Sequence, residues 1–342
     1  MRTSILAFTQ IGENLADRLL QTKILGLDPV RHDPSLSSAR IFVADQFRAS
    51  DLLVFIGAAA IAVRLIAPLL RDKSQDPAVL VLDETGRYVI PILSGHLGGA
   101  NQLALQVAHA LNATPVITTA TDLHNRFAVD VWSRQNNCAI RDITRIKAVS
   151  SRILAHEPVG LLSDFPIEGE LPEGLVVPSL LADDAARGAI SAAGIWVSQT
   201  IGQEPFALTL QVIPKTITIG VGCRKGTDPA QFEDFILAIL ASRMIALEAV
   251  ACMASIALKK DEPCILAFCD KFKLSLITYS PDDLQAAKGD FQTSTFVRSV
   301  TGVDNVCERS AILASSGQMI LSKQIQNGMT CALASKEWRC IF

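Results

Sequence analysis

The sequence predicts an α/β protein, with N-terminal and C-terminal three-layer α/β domains on either side of a small α/β middle segment. Strand-like apolar runs alternate with helical patterns over residues 1–135, which is typical of a layered α/β domain. The same alternation returns over residues 214–342. Apolar residues make up 49% of the 342-residue chain and charged residues 19%, a composition that builds hydrophobic cores and argues against disorder.

Hydrophobic periodicity predicts the elements of the N-terminal domain, residues 1–135. A continuous apolar run indicates a buried strand, and Leu103, Val107 and Leu111 form one stripe of a helix. The predicted elements are, in order, a strand at 3–9, a helix through 15–20, a strand at 51–57, a helix at 58–70, a hairpin of 78–83 and 88–93 around Gly86, a helix at 98–111 and a strand at 114–118.

The rest of the chain divides into a middle segment, residues 136–213, and a C-terminal domain, residues 214–342. The middle segment is less regular, because residues 166–175 are rich in Pro, Gly and Glu. The predicted elements here are short strands at 158–162, 195–198 and 206–213, then a strand at 216–222, a helix at 229–242, a strand at 273–279, a helix at 304–315 with Asp304 as its N-cap, and a strand pair at 318–323 and 329–335 around Gly328.

Charge and cysteine usage exclude several classes of protein. A net charge of −3 argues against nucleic-acid binding, which usually shows as a basic patch. Eight cysteines without C-x-x-C or Cys/His metal spacing predict reduced thiols, a cytoplasmic location and no protein-bound metal. The apolar run 52–70 is long enough to span a membrane, but Arg64, Gly57 and Pro68 inside it favour a buried strand and a short helix.

The stretch SGHLGGAN, residues 94–101, carries the first candidate site. His96 can act as a general acid or base, and the amides of Gly98 and Gly99 can donate hydrogen bonds to a developing oxyanion. Ser94 and Asn101 add a hydroxyl and an amide. In the alternative interpretation, the glycines only allow tight helix–sheet packing and His96 caps the helix.

Residues at the ends of predicted strands are further candidates for ligand binding. The stretch TTATD begins with Thr118 and Thr119 at the end of the strand predicted at 114–118, and ligands of open α/β sheets bind at the carboxyl ends of strands. If the strands at 52–57 and 114–118 are parallel, this loop shares one edge with Gly57, where helix-start amides favour anions. The alternative is that Asp122 or Thr121 only caps the next helix.

Cations follow two of these strand ends. Arg64, Arg71 and Lys73 come after the strand that ends at Gly57, although they could be ordinary loop and helix charges. In the stretch GVGCRKGT, the predicted ligand-binding residues are Gly222, Arg224, Lys225, Gly226 and Thr227. Two adjacent cations beside flexible backbone suit a carboxylate-rich or phosphate ligand. A solvated loop is the alternative, and residues 259–262 are expected at the same edge.

Two regions of the chain resemble the cobalt-precorrin-5A hydrolase family of anaerobic cobalamin biosynthesis. In residues 63–122 the motifs are RLIAPLL, SGHLGGAN and PVITTATD, in this order. In the C-terminal domain, IGVGCRKGT at 219–227 and GVDNVCERSAILAS at 302–315 match. Lys225 departs from the commoner arginine, which keeps the charge but loses bidentate geometry.

The resemblance implies a reaction. The substrate is a cobalt-bearing, ring-contracted tetrapyrrole whose ring-A lactone is opened with water, and the extruded meso carbon leaves with its methyl group as acetaldehyde. Cobalt then belongs to the substrate, and the protein needs no cofactor. His96 would activate the water, and Asp83, Glu84 or Asp122 would orient the imidazole or the water. The cations would bind the carboxylate fringe of the macrocycle across a slot between two sheet edges.

Two other functions stay open at this point. A non-catalytic module that binds and hands on tetrapyrrole intermediates would use the same cations without needing His96. A nucleotide-binding oxidoreductase or transferase would explain the glycine-ended strands, but no acidic ribose-binding residue follows at the expected distance. The resemblance places neighbouring pathway methyltransferases among the expected partners, with no membrane or nucleic acid, and leaves open whether the chain is a dimer.

Overall fold

The computed structural model describes residues 1–26, 28–72, 75–96, 98–119, 126–178 and 192–342. The chain forms two compact units, Met1–Trp132 and Ser133–Phe342. Both contain mixed sheets flanked by helices, so the predicted α/β fold class is confirmed. The predicted division into three domains at residues 135 and 213 stays a prediction.

The first unit contains a six-stranded sheet in the order β2-β1-β3-β4-β5-β6. Its elements are β1 (Thr3–Ala7), α1 (Gln10–Gln21), β2 (Val30–Arg31), α2 (Ala39–Ala49), β3 (Leu52–Ile56), α3 (Ala59–Ile66) with a 3-10 turn at Ala67–Leu69, β4 (Ala78–Leu82), β5 (Tyr88–Leu93), α4 (Ala100–Leu111), β6 (Thr114–Pro115) and α5 (Val129–Gln135), which continues into the second unit.

Two hydrophobic cores cover the two faces of this sheet. Leu15 and Leu19 of α1 pack with Val107 of α4 on one face, while Phe42 of α2 and Ile66 of α3 pack on the other. β1, β3 and β4 are buried along their whole length, which is why they read as continuous apolar runs rather than alternating ones. The result is the three-layer arrangement that the sequence predicts.

Strand direction decides which loops share an edge of this sheet. β1, β2, β3 and β4 are parallel, β5 is antiparallel to β4, and β6 is parallel to β5. β6 therefore runs opposite to β3, and the expectation that their carboxyl ends share one edge is wrong. The predicted strand at 114–118 is also too long, because β6 ends at Pro115.

The second unit contains two five-stranded sheets, in the orders β10-β8-β11-β12-β7 and β15-β14-β13-β17-β16, and a two-stranded sheet of β9 and β18. Its elements are β7 (Cys138–Ile140), α6 (Thr144–Leu154), β8 (Val159–Ser163), β9 (Ile167–Glu168), β10 (Leu175–Val176), β11 (Ala193–Val197), β12 (Leu208–Pro214), β13 (Ile217–Gly222), α7 (Pro229–Ser242), β14 (Val250–Ile256), α8 (Pro263–Phe272), β15 (Ser275–Tyr279), α9 (Pro281–Ala286), α10 (Thr295–Thr301), α11 (Cys307–Ser315), β16 (Gln318–Gln326), β17 (Met329–Ser335) and β18 (Cys340–Ile341).

Side-chain alternation along β13 places helices on both faces of its sheet. Ile217, Ile219 and Val221 face the core that α7 and α8 cover. Gly220 faces α11 instead, where a Cβ atom would lie 1.9 Å from the Cys307 carbonyl oxygen. Only glycine permits this close approach of helix and strand.

Two local expectations have different outcomes in the second unit. α7 begins at Pro229, as predicted, and Asp228 caps it by accepting a hydrogen bond from the Gln231 amide at 2.9 Å. The predicted N-cap role of Asp304 is wrong, because α11 begins only at Cys307 and Asp304 instead pairs with Arg309 at 3.0 Å. All eight cysteines are free thiols, as expected, and among the described residues no helix is long and apolar enough to cross a membrane.

Candidate active site

A pocket of about 340 Å³ opens in the first unit beside the end of β5. Its wall is made by residues 91–96, Asn101, Thr118, Thr119 and Asp130. The pocket follows from the short β6, which pairs only with Tyr88 and Val89. The last residues of β5 pair with β4 on one side and, in the described part of the chain, have no strand on the side of β6. This is the edge at which β5 and β6 end and β4 begins.

His96 and Asp130 form a pair in the pocket wall. The His96 Nδ1 atom lies 3.2 Å from Asp130 Oδ2, and the two side chains are 13% and 11% exposed. The other carboxylate oxygen of Asp130 accepts a hydrogen bond from the Val131 amide at 3.0 Å. A carboxylate only accepts hydrogen bonds, so the pair favours the tautomer in which Nδ1 carries the proton and Nε2 carries the basic lone pair.

Gly98 and Gly99 shape the loop that leads from His96 into α4. A Cβ atom on Gly98 would lie 2.5 Å from the Ser94 Cβ and 2.8 Å from the Ser94 carbonyl oxygen. Gly99 is the N-cap of α4 with φ = 79°, and its amide donates to the His96 carbonyl oxygen at 2.9 Å. Neither glycine lines the pocket as far as the chain is described. The predicted role of the Gly99 amide as an oxyanion donor is therefore wrong, whereas that of the Gly98 amide stays a prediction. Tight packing accounts for glycine at position 98, and the left-handed backbone accounts for glycine at position 99.

Asn101 and Thr119 supply a different hydrogen-bond donor. Asn101 is 7% exposed, and its Nδ2 donates to Thr119 Oγ1 at 2.7 Å. Because the Thr119 oxygen accepts this bond, its own hydroxyl proton points elsewhere, and Thr119 lines the pocket. The structure brings both predicted residues to the same wall as His96.

Ser94 connects the pocket to the segment that carries Arg71. Ser94 has φ = 54°, in the left-handed region, and its hydroxyl donates to the Asp76 carbonyl oxygen at 2.9 Å. The Asp76 carboxylate in turn accepts from the Arg71 amide at 3.2 Å. The backbone of Arg71 is thereby connected to the pocket edge through Asp76. The side chains of Arg71 and of Arg64, in the last turn of α3, are both exposed.

Three predicted residues lie at the opposite edge of the sheet. Asp83 accepts hydrogen bonds from Thr85 and from the Tyr88 amide in the β4–β5 turn. β5 then separates this turn from Ser94 by about 20 Å, at 3.3–3.4 Å per residue. Burial raises the pKa of Asp83, but these hydrogen bonds outweigh it and hold the pKa below its usual range. Asp83 is thus a turn residue, and its predicted role beside His96 is wrong.

Glu84 and Gly57 share this opposite edge. Glu84 accepts a hydrogen bond from the Thr9 hydroxyl at 2.8 Å, so it stabilises the connection to α1 rather than orienting His96. The Gly57 amide donates to the Leu82 carbonyl oxygen at 2.8 Å, so this amide is already engaged and does not serve the anion predicted there. The predicted site residues Lys73 and Asp122 lie outside the described residues.

The loop 222–227 of the second unit holds its cations in solvent. Arg224 and Lys225 are exposed, and the Gly226 amide donates to Glu262 Oε1 at 2.8 Å. The Thr227 hydroxyl donates to the Arg224 carbonyl oxygen at 2.8 Å. The structure therefore brings the predicted loop and residues 259–262 to one edge, and the predicted slot between this edge and that of the first unit stays a prediction.

Beneath this loop, Glu262 is buried and pairs with Lys259 at 2.6 Å. Burial raises the pKa of Glu262, but the hydrogen bonds from Lys259 and from the Gly226 amide lower it by more than burial raises it. The pKa of Glu262 is therefore below its usual range. The Cys223 and Cys264 sulfur atoms lie 3.7 Å apart. A hydrogen bond from Cys264 lowers the pKa of Cys223 against the effect of burial, and Lys259 adds to that lowering.

Sequence reasoning missed Asp130. The only signal was an acidic residue at the start of a short apolar helix, in the stretch FAVDVW at 127–132, and such a residue usually indicates a helix start. Its partnership with His96 spans 34 positions and has no spacing that a motif could reveal.

Comparison with known proteins identifies the family. Three family models match: Cobalamin synthesis G N-terminal at residues 41–122, Cobalamin biosynthesis central region at 127–214 and Cobalamin synthesis G C-terminus at 217–334. The chain is 34% identical over 289 residues to the cobalt-precorrin-5A hydrolase of Salmonella typhimurium, covering 84% of this chain and 82% of the relative. It is 31% identical over 307 residues to the enzyme of the same name from Priestia megaterium, covering 87% and 82%.

Among solved structures, a cobalamin biosynthesis protein G homologue from Sulfolobus solfataricus covers 98% of this chain and 97% of its own, at 20% identity and a TM-score of 0.42. This structural similarity is weak and supports no argument about the site. The sequence matches establish the family by themselves: the chain belongs to the cobalamin synthesis protein G family.

Proposed function

We propose that this chain is a cobalt-precorrin-5A hydrolase of the anaerobic cobalamin pathway, which opens the ring-A lactone of its substrate with water and releases acetaldehyde. Family membership supports the substrate class. The observation that carries the chemistry is the His96–Asp130 pair in a pocket wall that also holds the Thr119 hydroxyl. A histidine oriented by a buried carboxylate is the arrangement expected of a general base.

In the first step, His96 Nε2 takes a proton from a water molecule as the water attacks the lactone carbonyl carbon. Negative charge develops on the carbonyl oxygen, where the Thr119 hydroxyl donates a hydrogen bond. Collapse of the tetrahedral intermediate breaks the acyl–oxygen bond, and the imidazolium returns the proton to the leaving alkoxide. A positioned base contributes about 10²–10⁴ in rate, and one oxyanion donor about 10²–10³.

The second step releases the aldehyde. An aldehyde can leave only if the lactone oxygen sits on the extruded carbon, so that ring opening leaves a hydroxyl there. Loss of the hydroxyl proton forms the carbonyl while the bond between this carbon and the macrocycle breaks. The electron pair of that bond stays on the conjugated macrocycle and is protonated. His96, again neutral after the first step, is placed to accept the hydroxyl proton.

The dimensions of the pocket define what it binds. A volume of about 340 Å³ is at the small end of the range for ligand sites, so it suits the lactone ring and its surroundings rather than a whole macrocycle. Arg71, exposed at the same edge, is the cation best placed for a peripheral carboxylate. Cobalt enters as part of the substrate. The free thiols of all eight cysteines are consistent with action in the cytoplasm.

The test is an anaerobic incubation of the protein with the lactone substrate and detection of acetaldehyde. Wild-type protein should release one equivalent per substrate, and His96→Ala should reduce the rate by about 10²-fold or more while substrate binding, followed by the absorption of the macrocycle, persists. Thr119→Val should lower the rate about 10²-fold, and Thr119→Ser, which keeps the hydroxyl, should stay near wild type.

Two results would contradict the proposal. If wild-type protein binds the substrate but releases no acetaldehyde, the chain is a binding and handover protein. If acetaldehyde release survives His96→Ala unchanged, hydrolysis occurs elsewhere and the assigned base is wrong.

A further inference from the structure

Two thiols and a carboxylate converge in the second unit, away from the pocket described above. Cys223 directly follows β13, whereas Glu262 and Cys264 lie at the start of α8. β13 and β14 are parallel neighbours, so the segments that follow them meet at one edge of the sheet. One sulfur atom of each cysteine and one carboxylate oxygen of Glu262 all lie within 4.8 Å of one another.

The separation of the two sulfur atoms matches that of two ligands on one tetrahedral metal ion. Zinc–thiolate bonds of about 2.3 Å in tetrahedral geometry place two sulfur atoms about 3.8 Å apart. The observed distance between Cys223 Sγ and Cys264 Sγ is 3.7 Å. A disulfide would require the two sulfur atoms to be about 2.05 Å apart. The two side chains thus match the spacing of metal ligands as they are, without moving.

Charge and lone pairs also favour a cation here. Glu262 accepts one hydrogen bond on each oxygen, from the Gly226 amide and from Lys259, and a carboxylate has about four acceptor positions, so acceptor capacity remains. With both thiols deprotonated, the three ligands and Lys259 carry two net negative charges. A divalent cation neutralises them, which offsets the cost of burying charge around a carboxylate that is only 6% exposed.

We propose that Cys223, Cys264 and Glu262 bind a thiophilic divalent cation of the zinc class. Two sulfur ligands favour zinc-like ions over magnesium or calcium. Cys264 and Glu262 are buried while Cys223 is partly exposed, so the three protein ligands leave a fourth position on the solvent side for water or an exchangeable ligand. The spacing of cysteines in the sequence predicts no such site, because Cys223 and Cys264 are 41 positions apart. The site stands independently of the proposed hydrolase function.

The experiment uses the full chain, stripped of metal and kept anaerobic with a phosphine reductant so that no disulfide forms. Zn²⁺ is titrated against a chromophoric chelator, and Co²⁺ is titrated while the absorption spectrum is recorded. We expect one equivalent of either ion per chain, and a thiolate-to-cobalt charge-transfer band. Cys223→Ser should weaken Zn²⁺ binding by more than about 100-fold, beyond the 10–100-fold typical of residues that only orient ligands.

Cys269→Ser is the matched control, because Cys269 is buried on the same helix, α8, and is not part of the cluster. It should retain the affinity and the spectrum. Glu262→Gln should weaken binding without abolishing the charge-transfer band. Failure to bind one equivalent, a cobalt spectrum without a thiolate band, or equal affinity in wild type and Cys223→Ser would each overturn the proposal.

Discussion

Replacement of Asp130 by asparagine tests the orientation of His96 with little change in shape. In the wild type, one carboxylate oxygen accepts from the Val131 amide at 3.0 Å and the other faces His96 Nδ1 at 3.2 Å. In Asp130→Asn, the side-chain oxygen must stay on the Val131 amide, since two donors cannot face each other. The new NH₂ group therefore points at Nδ1, which has to become the acceptor. The imidazole proton moves to Nε2, and the base facing the reaction is lost.

The size of the effect follows from the two hydrogen bonds. A bond from Nδ1–H to a carboxylate is worth about 1.5–3 kcal/mol, and the neutral bond that replaces it favours the opposite tautomer by about 0.5–1.5 kcal/mol. The tautomer equilibrium therefore shifts by about 2–4.5 kcal/mol. At about 1.36 kcal/mol per tenfold change, kcat should fall between about 30-fold and about 2000-fold.

The assay is single-turnover acetaldehyde release, combined with ¹⁵N NMR of the histidine ring nitrogens. The ring-nitrogen signals of His96 are assigned by their absence from the spectrum of the variant His96→Gln. Wild type should show the proton on Nδ1, and Asp130→Asn should show it on Nε2, with a free energy of unfolding within about 1 kcal/mol of wild type. Asp45→Asn, on the exposed face of α2, is the control and should change neither. A kcat within about threefold of wild type, or a fall in kcat without the tautomer change, would refute the reasoning.

Three further predictions concern the loop and the cluster. Gly98→Ala should lower the free energy of unfolding by about 1–3 kcal/mol, measured by urea denaturation, because its Cβ would lie 2.5 Å from the Ser94 Cβ; an unchanged midpoint contradicts the packing argument. In metal-free protein at pH 7, iodoacetamide should modify Cys223 well before Cys138, because the pKa of Cys223 is lowered, whereas burial raises the pKa of Cys138 to about 12; peptide mass spectrometry decides the order. Because the pKa of Glu262 is lowered in the folded state, its contribution to stability is present above the ordinary glutamate pKa of about 4.3 and is lost as the pH falls through the lower folded value. The stability of wild type should therefore fall more steeply than that of Glu262→Gln below about pH 4.3, and parallel curves would exclude this contribution.

Local sequence patterns were enough to predict most of the secondary structure and the residue types of the site. Continuous apolar runs predict the buried strands because a strand covered on both faces has no polar side, and the stripe on α4 follows from helical periodicity. The motif SGHLGGAN identified His96 and Asn101, which lie in the same pocket wall. These inferences succeed because they depend on neighbours within a few positions of one another.

Which of the candidate residues lie next to one another depends instead on the order and direction of the strands. The antiparallel direction of β5 moves Asp83 to the far edge of the sheet and brings Thr119 to His96. The partners of the important groups are also distant in sequence: Asp130 lies 34 positions after His96, and Cys264 lies 41 positions after Cys223. Periodicity and motif spacing carry no information about such pairs, because strand order and direction are set by how whole elements pack their apolar faces together.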